Sequence, residues 1–407
     1  MKRLLFLVLG VGLFFSCQEE RPAQLKTGDW WATMAVTDSI DLPFNFTLAR
    51  DEAGSLTMVI QNADERVVVD EFEMQGDSIR IQMPVFEGYI AGTFTPEHIT
   101  GSFIKESLDR IVPFNASFGT RERFANTAPA AVNVSGIWET QFDFDTDDPY
   151  SAKGIFYQTG NKVTGTFRTT TGDYRYLEGV VDGDELQLST FDGAHVFLFT
   201  AAVSDSTLQG TFYSGNHSVE HFKAKRNDGF ELPDASSLTF IKEGYDGFDF
   251  EFPNAEGEMV SMDHPDFKDK VVLVQIMGTW CPNCLDETRF YVDYAEQHPS
   301  EDLEFVALAF EYAKTEAKAW KGIERLKERI GVEYPVLLAQ VGTSNKTKAN
   351  EKLPMLNHVL SYPTTIYIDK SGAVRKIHTG FNGPATGAKH EAFKKEFAET
   401  VTGLLAE

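Results

Sequence analysis

The sequence predicts two antiparallel all-β modules in tandem, followed by a C-terminal α/β domain built on one central sheet. Between about residues 28 and 226, short runs of alternating apolar residues are separated by turn residues, a pattern typical of antiparallel strands. The pattern is internally repeated, because Gly28-Asp29-Trp30 matches Gly136-Ile137-Trp138 at a spacing of 108 residues. After about residue 240, apolar strand-like runs alternate with segments of helical periodicity, which indicates an α/β fold.

The chain begins with a segment typical of a secretory signal. Two basic residues precede an apolar run from Leu4 to Phe15, and Cys17 follows. The run is shorter than the roughly 20 apolar residues that a membrane-spanning helix needs, so a transmembrane anchor is the weaker interpretation. The ending "FFSC" resembles a bacterial lipobox, which implies cleavage before Cys17 and lipidation of its thiol. We therefore expect a signal peptide at 1–16 and a mature protein tethered to a membrane.

The repeat sets the extent of the two β-modules. Phe86-Glu87-Gly88 matches Phe191-Asp192-Gly193 further along the chain, and linker-like segments follow each module. The Gly-x-Trp opening of each module resembles that of lipocalin-like barrels, so a closed barrel is an alternative to an open sheet. We predict the following limits: module 1 at 25–120, module 2 at 134–226 and the α/β domain at 238–407.

One acidic stretch in module 2, from Asp143 to Asp148, begins like a calcium-binding loop. The glycine required at its sixth position is Asp148, and the acidic residue required at its twelfth position is Gly154. We therefore interpret this stretch as a solvated acidic loop. The sequence predicts no metal and no other cofactor.

The two cysteines outside the signal segment, Cys281 and Cys284, are spaced as C-x-x-C. A zinc site would need two more thiol or imidazole ligands, but the chain has no further cysteine and no closely spaced histidines downstream. Haem attachment would need histidine where Leu285 stands. A peroxiredoxin would need Pro and Thr ahead of its nucleophile, where Val274 and Gly278 stand. The interpretation that remains is a redox dithiol.

The dithiol falls where a predicted strand passes into a predicted helix. The run Lys270 to Met277 is continuously apolar and β-branched, which is typical of a buried central strand. Apolar residues recur at helical spacing after Pro282, a residue well suited to a first helical turn. Cys281 should therefore lie at the start of the helix, where unpaired N–H groups and the helix dipole favour a thiolate. Further elements are predicted as a strand at 303–310, a helix near 313–330, a strand near 335–339, a hairpin around 362–380 and a helix from about 389.

Residues from about 240 to 407 resemble the thioredoxin-like domain of the TlpA/ResA group of envelope thiol-disulfide oxidoreductases, particularly lipoproteins of the Bacteroidetes type. The matching motifs are Trp280-Cys281-Pro282-Asn283-Cys284, Glu287, Tyr362-Pro363-Thr364-Thr365, Leu353 to His358 and His378 to Gly387. The resemblance implies a redox disulfide between Cys281 and Cys284, and a cis-proline at Pro363 facing the sulfurs. This chain departs from the pattern in two places. Because Pro-Asn stands between the cysteines, the resemblance does not determine the redox poise. Because the stretch at 341–358 resembles an insertion, the resemblance does not determine which substrates fit.

The resemblance also implies a role for each site residue. The first cysteine attacks a substrate disulfide and the second resolves the mixed disulfide. The glutamate relays a proton for the second cysteine, with a solvated first-turn acid as the alternative. The predicted catalytic residues are Cys281, Cys284, Glu287 and Pro363, and the predicted docking residues are Trp280, Tyr362 and Thr364. Core packing is the alternative for Trp280.

The formal net charge of −24 and a pI near 4.8 argue against nucleic acid and anionic lipid as partners. We expect a lipid-anchored, periplasm-facing enzyme in the envelope of a Gram-negative-type bacterium, which reduces exported proteins with electrons from an upstream membrane thiol reductant. The acidic "QEE" after Cys17 resembles an export signal of surface lipoproteins, so the outer membrane or cell surface is an alternative location. The alternative function is a redox-sensing lipoprotein whose β-modules capture a ligand or protein partner.

Overall fold

The computed structural model describes residues 24–407, so Cys17 and the predicted signal peptide at 1–16 lie outside the described residues. Within 24–407, no helix has the length and apolar character needed to cross a bilayer. Two all-β modules precede an α/β domain, which confirms the predicted fold class.

Module 1 is a nine-stranded antiparallel sheet that is nearly closed on itself. Its strands are β1 (Gly28–Ala35), β2 (Asp41–Arg50), β3 (Leu56–Asn62), β4 (Glu65–Val69), β5 (Glu71–Gln75), β6 (Ser78–Gln82), β7 (Tyr89–Phe94), β8 (His98–Lys105) and β9 (Arg110–Phe118). They pair in the order β4-β3-β2-β1-β9-β8-β7-β6-β5, and β4 and β5 are the two edges.

Module 2 has the same order of pairing but closes completely. Its strands are β10 (Gly136–Phe142), β11 (Tyr150–Thr159), β12 (Lys162–Thr169), β13 (Gly172–Asp173), β14 (Leu177–Asp182), β15 (Glu185–Phe191), β16 (Val196–Val203), β17 (Thr207–Ser214) and β18 (Ser218–Arg226). The order β11-β10-β18-β17-β16-β15-β14-β12 is joined into a ring by pairing of β11 with β12. Module 2 is therefore a closed barrel, the alternative to an open sheet, and closure removes the exposed edges of its sheet.

The sequence repeat corresponds to a structural repeat. Trp30 and Trp138 are both fully buried, and each indole N–H donates to the carbonyl oxygen four residues earlier, at 3.0 and 2.8 Å. Gly28 and Gly136 both have φ near +120°, a backbone conformation that favours glycine. The Gly-x-Trp motif is thus the start of the first strand and its core anchor in each module.

The hairpin between β12 and β13 is the counterpart of the β3–β4 hairpin of module 1. Leu48 pairs with Gly28 and Met58 as Phe156 pairs with Gly136 and Gly165, so β2 and β3 correspond to β11 and β12. The two-residue turns at 63–64 and 76–77 in module 1 therefore correspond to the turns at 170–171 and 183–184 in module 2, and eleven residues lie between the turns in each module. In module 2 the first strand of this stretch is reduced to the two residues of β13. We name residues 168–176 the β12–β13 hairpin.

The α/β domain has a five-stranded sheet in the order β23-β22-β21-β24-β25, with a parallel half and an antiparallel half. Its elements are a small pair β19 (Glu251–Pro253) and β20 (Met259–Ser261), then β21 (Val271–Met277), α1 (Pro282–Gln297), β22 (Leu303–Phe310), α2 (Glu316–Ile330), β23 (Val336–Gln340), α3 (Lys346–Lys352), β24 (Thr364–Ile368), β25 (Val374–Thr379) and α4 (Ala388–Leu405). Short 3-10 turns occur at Glu106–Leu108, Ala235–Ser237, Pro265–Phe267 and Pro384–Thr386.

The central strand β21 is buried on both faces because helices cover both. Val271 and Leu273 pack with apolar residues of α1 and α4, whereas Val272 and Val274 belong to the cluster that includes α2. Alternate residues of a strand point to opposite faces, so this division places the helices on opposite sides of the sheet. A buried β21 carries the chain directly to the dithiol at the start of α1.

Charged pairs connect module 1 to helix α2 of the α/β domain. Arg325 binds Glu71 at 2.7 Å, and Arg329 binds Asp70 at 2.9 Å and also Glu71. Lys318 binds Glu106 at 2.9 Å. Single exposed pairs contribute little, but several on one helix fix its orientation against the module. The domain limits given above stay a prediction.

The pairing of β16 with β17 can be tested through Gly210. Gly210 faces Ala201 across the two strands, and a Cβ at this position would overlap the carbonyl oxygen of Thr200. Overpacking of this kind costs about 1–3 kcal/mol, so Gly210→Ala should lower the free energy of unfolding by about that amount. In Gly403→Ala the new Cβ meets open space within α4, and this control should be neutral or stabilising by up to about 1 kcal/mol. Chemical denaturation measures both, and equal stabilities would contradict the register.

Candidate active site

Cys281 is the N-cap residue of α1, and its sulfur lies at the start of the helix as the sequence predicts. Its Sγ accepts a hydrogen bond from the Cys284 N–H at 3.2 Å. Pro282 occupies the first helical turn, where its missing N–H leaves no bond unmade. Cys281 is 6% exposed, whereas Cys284 is fully buried, and both are free thiols. The first sulfur is therefore the one that an external molecule can reach.

The loop before β24 brings a backbone carbonyl against this sulfur. The Tyr362–Pro363 peptide bond is cis, and the Cys281 thiol donates to the Tyr362 carbonyl oxygen at 3.4 Å. The Pro363 carbonyl oxygen in turn accepts from the Gly380 N–H at 2.9 Å. The loop that contains Pro363 and the end of β25 thus form one continuous surface beside the dithiol.

Glu287 is not a solvated first-turn acid, because it is completely buried beneath the dithiol. Its carboxylate accepts from the Gln275 amide at 2.8 Å and from the Thr365 hydroxyl at 3.1 Å. Burial raises the pKa of Glu287 to about 7. Burial, together with the hydrogen bond to Cys281, raises the pKa of the Cys284 thiol well above its usual range, and the charge of Glu287 contributes.

The three predicted docking residues lie in different environments. The Trp280 indole N–H donates to the Phe310 carbonyl oxygen at 2.9 Å, and its half-buried ring packs 5.5 Å from the rings of Tyr312 and Tyr362. The Tyr362 ring is buried, and its carbonyl meets Cys281. Thr364 is fully buried, and its hydroxyl donates to the Ser361 carbonyl oxygen at 2.9 Å, so its side chain supports the loop from inside.

Two buried polar residues near the dithiol were missed by the sequence analysis. Gln275 connects Glu287 to the α1 backbone, since its amide also lies 3.4 Å from the Cys284 carbonyl oxygen. Glu311 accepts from the Thr279 N–H at 2.7 Å and from the Thr279 hydroxyl at 2.8 Å, and burial raises its pKa to about 7. Each was detectable as a lone polar residue within or directly after a continuous apolar strand.

The β12–β13 hairpin of module 2 lies against the dithiol surface. The carbonyl oxygen of Thr171 accepts from the Ser361 hydroxyl at 2.7 Å, two residues before Pro363. The Asn283 amide, between the two cysteines, donates to the Asp173 carbonyl oxygen at 3.2 Å. On the Trp280 side a cleft of about 370 Å³ stays open between module 1 and the α/β domain.

A metal centre is not formed by the residues that the structure describes, among which no three His, Cys, Asp or Glu side chains converge. In the acidic stretch of module 2, residues 145–148 are exposed, and Asp145 pairs with His221 at 2.9 Å.

Comparisons with known proteins agree on the C-terminal part of the chain. The family model described as Redoxin matches residues 227–393. The thioredoxin-like protein YneN of Bacillus subtilis is 28% identical over 140 residues, which are 34% of this chain and 73% of that protein. The thiol-disulfide oxidoreductase ResA of Geobacillus thermodenitrificans is 25% identical over 142 residues, 35% of this chain and 72% of its own length.

Among solved structures, a thiol:disulfide interchange protein of the thioredoxin family from Chlorobium tepidum is similar to 41% of this chain. The match covers 99% of that protein, with 23% identity and a TM-score of 0.29. The Redoxin match, residues 227–393, contains Cys281 and Cys284. The C-terminal part of this chain is therefore a Redoxin domain with a thioredoxin-like fold, and it is an oxidoreductase.

Proposed function

We propose that the protein is a thiol-disulfide oxidoreductase that reduces disulfides of exported proteins with the Cys281–Cys284 dithiol. The observation that carries this proposal is the position of Cys281. Its Sγ caps α1, accepts the Cys284 N–H and faces the Tyr362 carbonyl oxygen. A helix N-terminus presents positive charge to an attacking thiolate, and an accessible sulfur beside a buried one assigns the order of attack.

The reaction is a pair of thiol-disulfide exchanges. The Cys281 thiolate attacks one sulfur of the substrate disulfide, the substrate S–S bond breaks, and the released sulfur takes up a proton. Cys284 then loses its proton and attacks Cys281 Sγ, which releases the second substrate thiol and leaves a Cys281–Cys284 disulfide. The substrate gains two electrons, and a second dithiol must reduce the enzyme again. We propose a membrane-bound thiol reductant for that step.

Glu287 is the group placed to manage the proton of Cys284. Cys284 sits in a buried environment that raises the pKa of its thiol, so it stays protonated until the mixed disulfide forms. A carboxyl whose pKa is about 7 can accept a proton near neutral pH and return it later. Gln275 and Thr365 hold the carboxylate in place. The proposed roles are attack for Cys281, resolution for Cys284, proton relay for Glu287, shaping of the loop for Pro363, and docking for Trp280 and the Tyr362 backbone.

We further propose that Cys17 carries a lipid that tethers the protein to a membrane of the cell envelope, with the redox domain facing the periplasm. The basic, apolar and "FFSC" segments of the N-terminus support this assignment. The lipid places the enzyme among exported proteins, the compartment where disulfides form. The outer membrane or cell surface remains the alternative location.

Replacing Cys284 should trap the substrate. In Cys284→Ser the resolving thiol is gone, so mixed disulfides between Cys281 and envelope proteins should accumulate and be visible on non-reducing gels and by mass spectrometry. Cys281→Ser removes the attacking thiol and should trap nothing. If the two variants accumulate equal amounts, or neither traps a protein, the dithiol does not act on protein substrates and a sensing role gains support.

Glu287→Gln should change how stability depends on pH. Because the pKa of Glu287 is about 7 in the folded protein and 4.5 ordinarily, its contribution to stability is complete below about pH 4.5 and is lost as the pH rises through 7. Between pH 4.5 and 8, wild type should therefore lose about 3 kcal/mol relative to the Gln variant. Urea denaturation at a series of pH values measures this difference. Glu296→Gln, on the exposed face of the same helix, should follow wild type.

Cys17→Ser should release the protein from the membrane. Without its thiol the residue cannot accept a lipid, so the variant should move from the membrane fraction to the soluble fraction and lose the mass of the acyl groups. Cys281→Ser serves as the control and should remain in the membrane fraction. Retention of Cys17→Ser in the membrane would show that another segment holds the protein there.

A further inference from the structure

The β12–β13 hairpin is hydrogen-bonded along its whole length to the surface around the dithiol. Its first residue, Arg168, donates from Nε to the Asn382 side chain at 2.8 Å. At its tip, Thr171 meets Ser361 as described above. Asp173 accepts the Gly383 N–H at 2.7 Å through its carboxylate. These bonds span the loop that contains the cis peptide, the end of β25 and the first turn of α1.

Two glycines allow the two backbones to approach this closely. A Cβ on Gly380 would lie 2.8 Å from the Thr171 carbonyl carbon, closer than real Cβ atoms come. A Cβ on Gly172 would overlap the Asn283 side chain and would lie 3.3 Å from the Phe381 carbonyl oxygen. The hairpin tip is thus in close contact with Gly380 and Phe381 at the end of β25 and with Asn283 between the cysteines.

Arg175 fixes the base of the β12–β13 hairpin. Its side chain is 6% exposed and forms ion pairs with Asp286 of α1, Glu65 of module 1 and, at 3.6 Å, Asp192 of module 2. Asp286 lies two residues after Cys284 in the same helix. An arginine this deeply buried needs its partners, so the hairpin is held rather than resting loosely on the surface.

The position of the hairpin decides what can approach Cys281. A substrate must bring its own disulfide sulfur into line with Cys281 Sγ, and a folded protein would need the area around Ser361, Asn283 and Gly380 to do so. That area is covered by the hairpin. The open direction is the cleft beside Trp280, about 370 Å³ in volume, whose other wall includes Arg80 and Tyr89 of module 1.

We propose that the β12–β13 hairpin is a specificity-determining part of the active site, a cap that excludes bulky folded disulfides from Cys281 and admits small or extended ones from the Trp280 side. This inference rests on the proposed dithiol chemistry. Under it, the β-modules act as part of the enzyme, and module 2 contributes residues to the substrate surface.

The test compares reagents of two sizes on the full-length reduced protein. Iodoacetamide and a maleimide carrying a long polyethylene glycol chain are used to alkylate Cys281, and single-turnover reduction is measured with glutathione disulfide and with a folded disulfide protein. Arg175→Met removes the ion pairs at the base of the hairpin. A second variant, deletion of Thr170 to Gly172, removes the tip. In both variants, the rates with the bulky maleimide and the folded disulfide protein should rise about tenfold relative to the rates with iodoacetamide and glutathione disulfide.

Arg123→Met is the matched control, because Arg123 is as buried as Arg175 but joins the two β-modules through Ser189 and Gln61 and does not contact the α/β domain. Its ratio of bulky to small rates should stay within about twofold of wild type, since local opening at one interface need not open another. Circular dichroism establishes that each variant is folded. If Arg175→Met unfolds, the proposal is judged from the deletion variant and from the ratio of bulky to small rates in the wild-type protein.

The decisive quantity is the rate with the bulky maleimide divided by the rate with iodoacetamide. If this ratio is the same for the wild-type protein as for an unfolded C-x-x-C peptide, the cap is overturned. The cap is also overturned if both hairpin variants have the wild-type ratio. A different result separates the cap from the proposed function. If no disulfide is reduced by any variant but the alkylation ratio still rises, the cap stands and the reductase proposal fails.

Discussion

The arrangement of the three parts of the molecule depends on the buried charge of Arg175. One guanidinium binds a carboxylate from module 1, one from module 2 and one from the helix that carries the dithiol. Three carboxylates around one cation would repel one another, but Arg289 lies 3.6 Å from Asp286, and the backbone N–H of His195 donates to Asp192 at 2.6 Å. A buried ion pair that loses a member leaves an uncompensated charge, so each part constrains where the others can sit.

The active site likewise contains residues from more than one domain. The thioredoxin-like domain contributes the sulfurs, the loop with the cis peptide and the buried Glu287, while module 2 contributes the backbone that meets Ser361 and Asn283. Polar groups buried this way are stable only when their hydrogen bonds are made, and Gln275 makes them for Glu287. The site therefore combines a chemical centre inside one domain with a surface built by two.

The sequence predicted the parts whose structure is set locally. The strand predicted at 303–310 has those limits as β22, and α1 begins at Pro282 after a buried strand. The helix predicted near residue 313 begins at Glu316, because the Thr315 hydroxyl caps it through the Lys318 N–H. The contacts of the β12–β13 hairpin with the dithiol surface were not predicted, since Asn283, Ser361 and Asn382 lie 110, 190 and 214 residues from their partners in the hairpin and periodicity reports only nearby pairing.

The way these parts are held together matters for an enzyme that exchanges disulfides. The chain has three cysteines, one in the signal segment and two in the dithiol, so no cross-link stabilises the modules or their contacts. Ion pairs, hydrogen bonds and apolar packing do that work, and none of them reacts with a thiolate. The contacts between the modules are thus chemically inert toward the reaction of the dithiol. Their vulnerability is ionic instead, because salt screens the pairs between module 1 and α2, while the deeply buried Arg175 cluster is screened far less.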